Sequence, residues 1–88
     1  MKAYWNAWPN LVSHYLISDK DETIAYIIQT DIATSWLNRA KPPRDELSHG
    51  VIFGIDKPAA LEEAKIEAEQ VARSMGWEFE LVPNNKLG

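Results

Sequence analysis

Val51-Ile52-Phe53-Gly54-Ile55-Asp56-Lys57-Pro58, with the run onward to Val82, decides the fold of this chain. Val51 to Ile55 is a short apolar run of the kind that fills a buried strand. Asp56 is placed to cap a helix, and Pro58 falls in its first turn, where a missing N–H costs nothing. From there Leu61, Ala64, Ala68, Val71, Ala72 and Met75 recur at the three-and-four spacing of one apolar stripe. Glu62, Glu63, Lys65, Glu67, Glu69, Gln70 and Arg73 make up the remaining face. Gly76 follows the last periodic residue, where a left-handed backbone favours glycine. Trp77-Glu78-Phe79-Glu80-Leu81 then alternates apolar and acidic side chains, as a strand with one buried face does. The expectation is strand, helix (about 58–75), strand (about 77–82).

Working outward, the N-terminal half is rich in β signals. Lys2 to Trp8 is aromatic-rich, stops at the turn pair Pro9-Asn10 and is expected as a short edge strand. Leu11 to Ser18 alternates, and Asp19-Lys20-Asp21-Glu22 separates it from Thr23 to Thr30, the pattern of a hairpin. Thr23 to Thr30 is apolar on both sides and belongs near the sheet centre. Asp31 to Ala40 fits a strand better than a short helix, because aromatic and β-branched residues precede Pro42-Pro43. The segment Lys41 to Glu46 is an exposed loop, and Leu47-Ser48-His49-Gly50 leads back to Val51.

The fold class expected is α+β: one two-layer domain over 1–83, an antiparallel sheet of four to six strands with a single helix on one face, the last strand joining the same sheet. The tail 84–88 has nothing to bury and is expected to fray.

The entry Leu61-Glu62-Glu63-Ala64-Lys65, followed by Glu67-Ala68-Glu69 and preceded by a meander bearing Trp and Tyr, resembles small phage and prophage α+β proteins. Some proteins of that sort, anti-CRISPR proteins among them, inhibit host machinery. The resemblance implies a small binding protein that occludes a larger target, and it carries no particular functional residue across.

Composition narrows the chemistry. The 88 residues hold no cysteine, so disulfides, thiolate metal sites and thiol nucleophiles are excluded. A hydrophobic fraction of 45% with 25% charged residues belongs to a folded globular chain. No run is long enough to cross a bilayer as a helix, and the opening residues lack an apolar signal core; a soluble, cytoplasmic protein is expected. A net charge of −4 disfavours broad nucleic-acid binding, although Arg39, Lys41 and Arg44 form a local basic cluster.

No phosphate loop, nucleophile elbow or metal-binding spacing is present in the sequence, so no catalytic residue, metal or cofactor is expected, and the chain is expected not to be an enzyme. His14 lies within an alternating strand as a surface or half-buried residue, and His49 adjoins the Arg44 loop. Four tryptophans are more than so small a core easily takes. Trp77 alternates with Phe79 and Leu81 and belongs to the core, whereas Trp36 stands between core and surface. Trp5 and Trp8 cannot share one strand face, so at least one of them sits at a rim. Ile66 lies on the charged side of the helix, where it and an uncovered second sheet face would suit a homodimer or another partner.

Exposed Trp and Tyr beside Arg make a protein-binding surface or a stack for single-stranded nucleic acid. The expected function is a non-enzymatic protein-binding module; the alternative is single-stranded nucleic-acid binding through Trp and the Arg39, Lys41 and Arg44 cluster. The candidate contact residues are Trp5, Trp8, Trp36, Arg39, Lys41, Arg44, His49 and Ile66.

Overall fold

A computed structural model describes residues 1–7 and 12–84. Five strands come first: β1 (Lys2–Ala7), β2 (Ser13–Ser18), β3 (Thr23–Gln29), β4 (Ala33–Arg39) and β5 (Leu47–Phe53). Helix α1 (Lys57–Ser74) and a short β6 (Glu80–Leu81) follow. The sheet order is β5-β4-β3-β2-β1-β6, antiparallel throughout except for the β1–β6 pair. The fold is α+β, a single domain, as expected.

Local chemistry sets the connections. Ser18 Oγ accepts from the N–H groups of Lys20 and Glu22, closing the β2–β3 hairpin, and Asp21 takes a left-handed φ of 62° there. Thr30 does the same for β3–β4, its Oγ1 accepting from the Ala33 N–H. Asp56 caps α1, accepting from the Ala59 N–H at 3.1 Å, and Gly76 ends it at φ 101°. Within Asp31 to Ala40 the strand runs Ala33–Arg39, strand rather than helix, as favoured.

Two expectations on the sheet edges change. Val51 to Ile55 does not fill a buried strand: β5 is the outermost strand and ends at Phe53, with Ile55 exposed beyond it. An apolar run reports residue type, whereas edge position is decided by which strands the chain places beyond it, and among the described residues none lies beyond β5. Lys2 to Ala7 in turn is not an edge, because the chain returns through α1 to lay β6 outside it. The last strand is also shorter than 77–82. Only Glu80 and Leu81 pair with β1, because Trp77 is drawn under the helix end instead of along the ladder.

Helix α1 packs over β3, β4 and β5 and runs along β4, from the Gln29–Thr34 end of the β3–β4 pair to the Arg39 end, where the Lys41 N–H donates to the Met75 carbonyl. Eighteen residues span about 27 Å, slightly longer than the seven-residue β4 beneath them at about 3.3 Å per residue. It lies on a stripe of Ala60, Ala64, Ala68 and Ala72, all buried, with Leu61 and Val71 half-buried at its sides. Under it stand Leu16, Ala25, Ile27 and Trp36. Two polar side chains pin it in register. Gln29 Nε2 donates to the Lys57 carbonyl at 2.9 Å, and Asn38 Nδ2 donates to the Ala68 carbonyl at 2.6 Å. The sheet is covered on this side only; the molecule measures 35 × 31 × 17 Å, and its thin axis holds just the two layers.

Candidate binding surface

The strand register sorts the side chains onto two faces. Ala3, Trp5, His14, Leu16, Ala25, Ile27, Trp36, Gly50 and Ile52 lie on the helix side. Their alternates form the open side. One row crosses β1 to β5 there as Asn6, Tyr15, Tyr26, Leu37 and His49, and the next holds Ser13, Ile28, Ser35 and Val51. Tyr15 and Tyr26 stack at 5.9 Å between ring centroids. Toward β5 the face is openly apolar: Leu47 is 71% exposed and Phe53 78%, with Ile28 and Val51 also exposed.

A cavity of about 220 Å³ opens on this side at the start of β3, lined by Ile24, Tyr26, Leu37, Leu47 and Arg39 among others. Arg39 is the one charged residue in that lining. Among the described residues no carboxylate pairs with its guanidinium. Arg44, by contrast, donates from Nε to Glu46 at 2.8 Å. That hydrogen bond, reinforced by the guanidinium charge, lowers the Glu46 carboxyl below its usual range. Arg39 and Arg44 line one shallow depression together with Asp45 and Glu46, while Lys41 lies beside Gly76. The basic cluster expected from the sequence is therefore partly neutralised.

The tryptophans are placed differently from the expectation that they supply the surface. Trp36 is buried, and its indole N–H donates to Glu67 at 3.0 Å. Trp5 is half-buried on the opposite flank of α1, donating to Glu69 at 2.6 Å with the Lys65 ammonium over its ring. Trp77 is buried, as expected, and donates to the Arg39 carbonyl at 2.8 Å. Trp8 and the turn Pro9-Asn10 lie outside the described residues, as does the tail from 85. Trp36 therefore offers no ring to a protein or a base, and its loss would be felt in folding.

Ile66 is exposed on the outer side of α1, remote from the open sheet face. His49 is exposed and sits on that face. His14 is buried under the helix side, deeper than a surface or half-buried histidine. Of the candidates named from sequence, Arg39 and His49 thus share the open face. The residues sequence reasoning missed there are Tyr15, Tyr26, Ile28, Leu37, Leu47 and Phe53; each alternates normally on its strand, and only the one-sided position of α1 distinguishes them.

Among the described residues there is no group of three metal-ligating side chains, and no helix is long and apolar enough to cross a membrane. Compared with known protein families, curated proteins and solved structures, the chain matches none.

Proposed function

We propose that this chain is a non-enzymatic protein-binding module whose open sheet face seats an apolar surface of a folded partner. The partner sets an acidic group against Arg39, and the module acts by covering that surface. One observation carries the reading: the face away from α1 is openly apolar toward β5 and holds Arg39, without a carboxylate partner among the described residues, beside an apolar cavity. Its size suits the role. An ellipse on the 35 and 31 Å axes covers roughly 850 Å², close to what each partner contributes to a standard interface. A flat face of rigid strands also loses little entropy on binding. The resemblance to small phage inhibitors, whose mode is occlusion of a host protein, agrees with the same reading.

The experiment is capture from lysate of the source cell, with nuclease treatment, followed by affinity measurement on the purified partner. Ile28→Lys and Arg39→Glu on the open face should each weaken binding at least tenfold, whereas Ile66→Lys on the outer helix face should leave it unchanged. Equal losses for all three variants, or a partner that vanishes with nuclease, would overturn the proposal. The second outcome would favour single-stranded nucleic acid instead.

A further inference from the structure

We infer that β5 is the seam of a homodimer, two copies pairing this strand antiparallel about a two-fold axis at Gly50. The phase of the β4–β5 ladder is fixed at both ends: Ala40 donates to the Glu46 carbonyl at 2.9 Å, and Gly54 donates to the Ile32 carbonyl at 3.1 Å. With this phase Arg39–Leu47, Leu37–His49, Ser35–Val51 and Ala33–Phe53 are the non-hydrogen-bonded pairs. The N–H and C=O groups of Leu47, His49, Val51 and Phe53 therefore point away from β4, out of the sheet edge.

Edges of this kind are ordinarily defended by lysine, proline, a bulge or brevity. The opposite edge is: β6 has two residues, one of them Glu80, and Pro83 follows. In β5 the sequence Leu47-Ser48-His49-Gly50-Val51-Ile52-Phe53 has no charge and no proline over seven residues.

The strand is also complementary to itself. Centring the pair on Gly50 sets Leu47 against the partner's Phe53 and His49 against the partner's Val51. All of these residues carry outward backbone groups, so the register closes about eight ladder hydrogen bonds. Leu47 and Phe53, the two most exposed apolar side chains of the strand, then cover one another on the same side of the sheet. Charge does not oppose that direction. Arg39 and Arg44 at the Leu47 end sit with Asp45 and Glu46, and Asp31 at the other end pairs with Lys57, so both ends carry mixed charge and neither repels its opposite. A second copy therefore meets the edge with hydrogen bonds and apolar pairs at once. Two six-stranded sheets become one, and their open faces become continuous.

Sedimentation velocity of the full chain at about 100 μM tests this, since a dimer has twice the 10.0 kDa mass of the chain. Val51→Pro should sediment as a monomer with unchanged circular dichroism, because the Val51 N–H serves no bond within the chain. The double variant Leu47→Glu with Phe53→Glu should also be monomeric, and Leu47→Lys with Phe53→Glu should restore the dimer by pairing opposite charges. These sites are exposed, so the double variants probe the seam even if Val51→Pro fails to fold. A monomeric wild-type chain would overturn the inference and leave the edge to an extended peptide. A dimer unaffected by the double variants would place the contact elsewhere. Neither result bears on partner binding by the open face, which Ile28→Lys and Arg39→Glu report separately.

Discussion

Gly50→Ala tests how tightly the helix-side core is built. A Cβ at this position would lie 2.5 Å from Trp36 Cε2 and Cζ2 and 2.6 Å from Nε1. Carbon atoms in contact sit about 3.5–4.0 Å apart, so the indole must retreat by roughly 1 Å or the strand must bow. Trp36 has little freedom to retreat, being 6% exposed and tied through Nε1 to Glu67 at 3.0 Å. Overpacking of this kind costs about 1–3 kcal/mol, and losing the indole hydrogen bond about 1 more. Against this, alanine is preferred to glycine in a strand by roughly 0.5–1 kcal/mol. The net expectation is a loss of about 2 kcal/mol, equivalent to roughly 8–16 °C in Tm for a domain of this size. Urea denaturation followed by tryptophan fluorescence measures it directly. Repeating the substitution in a Trp36→Leu background isolates the contact: the alanine should then cost at least 1 kcal/mol less. Equal costs in the two backgrounds, or an alanine variant as stable as wild type, would refute the steric argument.

Two further outcomes follow from buried and exposed polar groups. Asn38→Asp places a carboxyl, fully buried, against the Ala68 carbonyl oxygen that the Asn38 amide now meets at 2.6 Å. The carboxyl folds protonated and its folded pKa rises above the unfolded value. Stability relative to wild type is then greatest below about pH 4 and falls by about 1.4 kcal/mol per pH unit above it, until the folded pKa is passed; thermal melts from pH 3 to 7 that run parallel to wild type would contradict it. For Glu46, whose carboxyl the Arg44 hydrogen bond lowers, the small stabilisation is present above the unfolded pKa and is lost as pH falls through the folded one. An NMR titration should show the Glu46 midpoint rising in Arg44→Gln.

What was legible in the sequence is what local chemistry decides. The cap at Asp56, the proline behind it, the alanine-rich stripe and Gly76 mark α1 to within a residue or so, because each acts on its own turn of backbone. The Asp19 to Glu22 hairpin is equally local. Sheet order is not. The apolar run Val51 to Phe53 looks the same at an edge as in the middle, and only the return of the chain to β1 leaves β5 outermost. The binding surface was hidden for a related reason. Tyr26 and Ile28 alternate with Ala25 and Ile27 on a strand apolar on both sides, and nothing local says which side α1 will cover.

The tryptophans show how the two readings trade places. A helix whose buried stripe is alanine presents little volume of its own, so the sheet beneath must supply the bulk. Trp36 and Trp5 do so on the two flanks of the stripe, each held by a glutamate of the helix it borders, Glu67 and Glu69, and Trp77 closes the C-terminal end against the Arg39 carbonyl. Each ring is thereby packed while its N–H is satisfied, the arrangement a large amphipathic side chain needs at a core boundary. Small residues on the helix thus account for large ones on the sheet. The aromatic surplus that suggested a binding surface is drawn into the fold, and the acidic face of α1 anchors it there. The apolar residues left for a partner are the unremarked tyrosines and aliphatic side chains on the side that the single helix cannot reach.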